Sequence, residues 1–533
     1  MGATLRAVRA FVLLSGFHLL GLGLLALLGA VDWASWLWAP AAVRFKVFVV
    51  TVVLAIPVVR GMFMLRTPRD DEPGGVLVGE ADEPRLWATV RGLAARVGTR
   101  APDEIRLTPD VNAAVSEDAR LLGLVGGRRR LFLGLPLMAG LDEAGLRAVL
   151  AHELGHYGNS DTRLAALTVR GRAQVGRMIA TFHAKADAKV AQERARQERK
   201  SEKRVAKGRS AKRIDTTGTG VTYRTMAKIY SAYGRLYMRA TRSGARRQEL
   251  AADLAAVRIA GRDATARALR ETHAIHTAHD FYLSSYATLG TEFGLLPARG
   301  EVFGGVRHLL AARADELAGL REDLPQEPAS PYDSHPPMAE RVARIEALPD
   351  DGRSAEGAGP ALGLLADPER ALVAVEDVSL TPEARRMRRL EWAELVHESM
   401  SARVAQGTEE LRAAAGGAAV TLPRLLDAID AGSLWEIAGR LPKSEEAAAA
   451  SGRVAREFAR PAVRRGLSAM VTDELLRSGR ARWELSWSGP ATLTLPDDTA
   501  DRLPEALDAA TADRPDTGPL RALLTPASPA AAR

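Results

Sequence analysis

The sequence predicts an α+β chain, mainly helical with a small sheet, led by two N-terminal transmembrane helices and followed by a C-terminal accessory region. Three observations lead there. The first 70 residues hold two long apolar runs. Beyond them apolar residues recur at helical spacing over most segments, and only short stretches read as strands. At 533 residues, with 47% hydrophobic and 26% charged, the chain exceeds one ordinary domain, so two folded units plus extras are expected.

The run from Ala10 to Val31 carries no formal charge and is interrupted only by Ser15 and His18. About 20 apolar residues suffice to cross the hydrocarbon core. A second run, Val47 to Leu65, is broken by Pro57 and by Arg60, whose long side chain can reach the headgroups. Trp33, Trp36 and Trp38 follow the first run, as an interfacial belt would. A cleaved signal peptide is the competing reading, but its apolar core of about 7–15 residues would be shorter. Arg6, Arg9, Arg60, Arg66 and Arg69 outnumber Arg44 and Lys46 in the intervening loop. This bias predicts a multi-pass protein of the cell membrane, with its N-terminus and main body cytoplasmic and Asp32 to Lys46 external.

The soluble part begins beyond Pro73-Gly74-Gly75. Pro84 to Val97 reads as a helix, and Glu104 to Leu107 as a short strand ended by Pro109. Arg128 to Gly134 reads as a strand whose arginines and following Pro136 suit a sheet edge. Such an edge could receive an extended peptide as one more strand, or be an ordinary edge protected by charge.

Leu141 to Ala151 has apolar residues at helical spacing and acidic groups in its first turn. That helix carries His152-Glu153-Leu154-Gly155-His156. Residues i and i+4 lie about 40° apart, so both imidazoles point the same way. Glu153 lies beside that face, where it could take a proton from a zinc-activated water. The chain has no cysteine, which leaves imidazole and carboxylate as the zinc donors. A second helix, Arg246 to Leu254, repeats the i, i+4 spacing with Glu249 and Asp253. Glu249 can supply the third ligand, and Asp253 can accept the other ring N–H of a ligand histidine. A solvated helix face explains the carboxylate pair alone, but not the pair together with the pentapeptide.

Between these helices, Lys185 to Arg213 holds twelve Lys or Arg against Asp187, Glu193, Glu198 and Glu202, an excess as large as that of the whole chain, +8. Membrane lipids are one expected partner of this stretch; a solvated helix or a disordered insert is the other reading. Nucleic acid is not expected, because no recognition motif accompanies the charge. His273, His276 and His279 step by three residues, so the outer two diverge by about 120° on a helix and read as surface or groove residues.

Taken together, these pieces resemble the membrane-anchored zinc metallopeptidases of the HtpX heat-shock protease and CAAX prenyl endopeptidase type, which are gluzincins. The resemblance rests on the two hydrophobic helices, Asn112-Ala113-Ala114, the pentapeptide with Asn159 and Asp161, Glu249 to Asp253, and Ser334-His335-Pro336-Pro337 with Arg341. It implies a zincin-like metalloprotease domain holding one Zn2+ per chain through His152, His156 and Glu249. Glu153 and His335 are then catalytic, as general base and as oxyanion donor. Asp253, Arg341 and Asp161 order the site, and Asn112, Ala113 and Ala114 lie along a bound polypeptide substrate. Members of that type commonly place further membrane spans between the zinc helix and its glutamate. Here Leu164 to His183 carries Arg170, Arg172 and Arg177, and Val221 to Ala240 is also interrupted by arginines, so both are amphipathic at best.

The expected organisation is a membrane anchor over 1–70, a metalloprotease domain over 71–350 with its basic insert at about 184–215, an accessory region over 351–512, and a disordered tail over 513–533. Within the accessory region, Thr381 to Ala414 reads as helical and Ala481 to Trp487 as a strand. The expected function is that of a membrane-bound zinc metalloendopeptidase in membrane or misfolded-protein quality control. The alternative is a non-catalytic, zinc-stabilised membrane scaffold.

Overall fold

The computed structural model describes residues 3–63, 74–117, 127–157, 162–205, 214–325, 336–353, 359–442, 444–496 and 499–525. The chain forms two compact units, one of residues 1–276 and 318–368, the other of 277–317 and 369–533.

The first unit opens with two helices, α1 (Ala3–Trp38) and α2 (Ala41–Phe63). They pack on each other, and the buried Thr51 hydroxyl donates to Asp32 Oδ2 at 2.7 Å across the pair. Among the described residues one helix is long and apolar enough to cross a membrane, α1 over Leu19–Trp38. The helix on which the second span, Val47 to Leu65, was expected begins earlier, at Ala41, and so includes Arg44 and Lys46 as well as Arg60.

A four-stranded sheet follows, built from β1 (Val76–Val78), β2 (Glu104–Thr108), β3 (Ala113–Glu117) and β4 (Arg129–Gly134). Its order is β1-β2-β4-β3, with β2 parallel to β4 and both outer strands antiparallel to their neighbours. The helix α3 (Pro84–Val97) matches its sequence signals: proline in the first turn, and Gly98 in the left-handed region (φ 79°) closing the end.

The expectation that Arg128–Gly134 forms a sheet edge is corrected here. β4 lies between β2 and β3, with Leu131 and Leu133 fully buried. Its arginines are not guarding an edge. Arg130 Nε donates to Glu104 Oε2 on β2 at 3.1 Å, and the Arg129 guanidinium lies 4.6 Å from the centre of the Tyr157 ring. Glu104 and the Tyr157 ring face these charges, so the strand can sit inside the sheet.

Helices α4 (Leu135–Gly140) and α5 (Glu143–Gly155) come next, then α6 (Thr162–Val205) and α7 (Val221–Ala260). The last two are long, and they pack along each other and on α1 and α2. Their shared core includes Met178 and Phe182 of α6, Met226 and Tyr230 of α7 and Val58 of α2, with Leu20, Leu24 and Leu25 of α1 packed against it. The basic stretch is helical through Val205, because Ala, Arg, Lys, Glu and Gln are strong helix formers; residues 206–213 lie outside the described residues. Gly261, at φ 100°, ends α7 and lets α8 (Arg262–Tyr282) begin. The short helix α9 (Met338–Glu346) returns to α7.

The second unit is mostly helical. Leu467, Met470, Val471 and Leu475 of the helix Gly452–Arg477 share its core with Leu411, Leu425, Leu426 and Ile429. Tyr286 stacks on Trp487 at 4.8 Å between ring centres, and the Tyr286 hydroxyl donates to the Ser486 carbonyl at 2.8 Å. The span read as helical, Thr381 to Ala414, contains three helices interrupted by the strand Arg388–Leu390. Within Ala481 to Trp487, Arg482–Glu484 pairs antiparallel with Thr492–Thr494. The segment expected as a disordered tail also departs from expectation in its described part. Gly518–Leu524 is a helix, and Leu520 and Leu523 are buried in the same core. Two leucines three apart supply an apolar face that overrides the Pro and Ala richness.

Candidate metal centre

The centre is assembled from α5, α7 and α9. Helix α5 starts where expected, because the Asp142 carboxylate caps it by accepting from the Gly145 N–H at 2.7 Å. Arg267 pairs with the same carboxylate at 2.7 Å. Leu146, Leu150 and Leu154, each four residues apart, are fully buried. The helix packs against α3, β3 and α7, so its polar residues sit in an enclosed place.

Close approach of α5 to α7 depends on Gly155. A Cβ at this position would fall 3.1 Å from both the Ala252 Cα and the Ala255 Cβ. Small residues on both helices let the backbones come together, and this brings Glu249 to the two histidines. His152 and Glu249 are buried, and His156 is partly so.

The His152 and His156 rings lie 4.8 Å apart and nearly perpendicular, at 83°. His152 Nε2 is 3.6 Å from Glu249 Oε2, and His156 Nε2 is 3.8 Å from Glu249 Oε1. One donor atom from each of the three residues lies within 4.8 Å of the others. Ligand atoms about 2.1 Å from a shared tetrahedral ion are about 3.4 Å apart, so a small inward adjustment would let all three residues reach one ion. Two imidazoles with one carboxylate are also the donor chemistry of catalytic zinc.

The remaining nitrogen of His152 is engaged. Nδ1 lies 3.0 Å from Asp253 Oδ1, one helical turn beyond Glu249, which leaves Nε2 facing the other donors. Arg341, from α9, donates Nη2 to Asp253 Oδ1 at 2.6 Å and Nε to Oδ2 at 3.1 Å, with both side chains buried. Burial alone would raise the Asp253 carboxyl. The hydrogen bonds from His152 and Arg341 outweigh it and hold that carboxyl well below the usual carboxylate range. Burial likewise works to lower Arg341, but Asp253, Glu249 and Glu153 together raise it. Glu153 thus contributes charge to the same cluster, from a half-buried position on α5.

The other expected site residues divide in two. Asn112 precedes the edge strand β3, and its carbonyl accepts from the Gly134 N–H at 2.8 Å. Ala113 and Ala114 pair with Leu133 and Phe132 of β4. His335 and Asp161 lie outside the described residues, as do Asn159 and Ser334. Two contributors escaped the sequence reading. The Tyr157 hydroxyl donates to the Val115 carbonyl at 2.7 Å, tying the end of α5 to β3. Gly155 sets the spacing of the two helices, and its place between Leu154 and His156 was the available signal.

The model of peptidase family M48 matches residues 80–348, a span that contains every residue of this cluster. No curated protein and no solved structure matches the chain. On the family match, which covers half of the sequence, the chain belongs to peptidase family M48, a family of metallopeptidases.

Proposed function

We propose that this protein is a membrane-bound zinc metalloendopeptidase acting on membrane or misfolded polypeptides from the cytoplasmic side. The observation that carries the reading is the enclosed set of His152, His156 and Glu249, backed by the Asp253–Arg341 pair. Zinc held by those three residues would supply Lewis acidity, enough to make water a nucleophile near neutral pH.

The chain's own residues do the rest. Asp253 holds His152 in the tautomer that presents Nε2, and Arg341 holds Asp253. Glu153 takes the water proton and delivers it to the leaving amine. A substrate strand adds by main-chain hydrogen bonds to β3, whose outer side is a sheet edge among the described residues, and lies along Asn112 to Ala114. His335 donates to the oxyanion as the carbonyl is attacked, and Asp161 helps order the site. Helices α1 and α2 bind the protein to the membrane.

The test compares Glu153→Gln with the parent in detergent. The variant should keep one zinc per chain and lose chelator-sensitive cleavage of an unfolded protein by at least about 100-fold. Undiminished turnover by Glu153→Gln defeats the assignment of the base. Zinc binding without any cleavage by the parent favours the scaffold reading instead.

A further inference from the structure

We propose that the bundle of α1, α2, α6 and α7 embeds in a lipid bilayer from one side only, its α1–α2 face entering and leaving the same leaflet while the outer face of α7 stays in water. This rests on the membrane-bound reading above and goes beyond it by fixing how the membrane is engaged.

The apolar face is explicit. Leu19, Leu22 and Leu27 of α1 and Phe45 and Phe48 of α2 are each more than half exposed. Trp33, Trp36 and Trp38 are 65–82% exposed at one end of this face, and the Arg44 guanidinium lies 5.3 Å from the centre of the Trp36 ring. Exposed tryptophans beside a cation are what the boundary between hydrocarbon and headgroups selects. A bilayer is therefore the occupant that fits this face.

The opposite side of the bundle has the opposite character. A Cβ at Gly16 of α1 would fall 2.8 Å from the Tyr233 hydroxyl of α7. Further along α1, Leu20, Leu24 and Leu25 belong to the core that holds Tyr223, Met226 and Tyr230. So α1 and α7 run antiparallel, and the apolar stretch from Leu19 onward is level with the first turns of α7. There α7 exposes Arg224 and Lys228, followed on the same stripe by Arg235 and Arg239. Positions i, i+4, i+11 and i+15 stay within about 60° of one another around a helix. The stripe points away from Met226, Tyr230 and Tyr237, which are buried.

A bilayer surrounding the bundle at this level would have to take exposed Arg224 and Lys228 into hydrocarbon along with the leucines of α1. Side chains that charged are found inside membranes when they face a protein interior or a water-filled cavity, and these face outward. By length and composition alone, α1 over Leu19–Trp38 is long and apolar enough to cross a membrane. Read with α7 beside it, the bundle is amphipathic as a body, with one apolar side and one basic side.

The absence of cysteine makes the test direct, since any introduced cysteine is the only thiol. Ala88→Cys on α3 reports the side of the first unit, Ala41→Cys reports the turn between α1 and α2, and Lys228→Cys reports the α7 face; all three positions are exposed. Full-length variants in sealed membrane vesicles are treated with an impermeant maleimide from either side, with and without detergent. The expected result is labelling of all three from the same side in intact vesicles. Labelling of Ala41→Cys from the opposite side alone, or shielding of Lys228→Cys until detergent is added, overturns the inference while leaving membrane binding intact. Release of the parent protein by a carbonate wash overturns both, and a dimer in the released fraction would then assign the apolar face to a second copy.

Discussion

Arg341 grips Asp253 with two nitrogens at once, Nη2 at 2.6 Å and Nε at 3.1 Å, across 88 residues of chain and with both side chains buried. This fork links α9 to α7 directly behind His152. Removing one partner of a buried ion pair strands the other and costs about 3–5 kcal/mol. Arg341→Ala should therefore lower the unfolding free energy by that amount in a denaturant titration of the solubilised full chain. Arg341→Lys should recover part of it, because lysine restores the charge without the fork. A loss below about 1 kcal/mol for the alanine variant would contradict the buried pairing.

Asp253→Asn keeps an oxygen that can accept from His152 but removes the charge that Arg341 holds. The expected consequence is a zinc affinity lower by about 10–100-fold, measured by competition with a chromophoric chelator. Unchanged affinity would mean that His152 is oriented by something other than Asp253.

At Gly155 the spacing of α5 and α7 can be tested without touching a ligand. Gly155→Leu places bulk where even a Cβ meets Ala252 and Ala255 at 3.1 Å. It should destabilise the protein by about 1–3 kcal/mol and weaken zinc binding, because the donors come from both helices. Gly92→Ala on α3 is the control. Its Cβ meets nothing within 4 Å, so it should be neutral or raise stability by about 0.5–1 kcal/mol.

A pH effect is expected in the second unit, at Glu301. Trp392 Nε1 donates to its Oε2 at 2.8 Å, and Arg307 Nη2 donates to its Oε1 at 2.7 Å. Burial pushes this carboxyl up, but those bonds and the arginine charge bring it below the ordinary value. A depressed carboxyl stabilises the fold above its unfolded value, about 4.3, and that contribution is lost as pH falls through the folded value. Glu301→Gln should therefore lower the melting temperature at pH values above the unfolded carboxyl value, with the parent and variant curves converging as pH falls below it. A gap that stays constant from pH 7 to pH 3 would rule out the charge as its source.

The site was more legible than the frame around it. The pentapeptide helix, Glu249 and Asp253 follow from i, i+4 spacing, a property of one helix that needs no tertiary information. Arg341 was reached by resemblance, since nothing local in Met338–Glu346 reveals which carboxylate it meets. The strand Arg129–Gly134 was found, but its interior place depends on Glu104 answering its arginines from another strand. Charge runs in the 185–205 segment suggested an insert, whereas the same residues are strong helix formers and extend α6. At the C-terminus, composition suggested disorder, while Leu520 and Leu523 decided the outcome by fitting a core supplied from elsewhere in the unit.

Helix α7 carries Glu249 and Asp253 near one end and Arg224 and Lys228 near the other, with no break between them. From Lys228 to Glu249 is about 30 Å of continuous helix, so a tilt of about 5° at the bundle would swing the glutamate by roughly 2–3 Å. Such a displacement is comparable to the length of a metal–ligand bond. A tilt carried along this unbroken helix would therefore reach Glu249 together with the part of α5 that rests on Ala252 and Ala255, joining the bundle to the His152, His156 and Glu249 cluster through one rigid element.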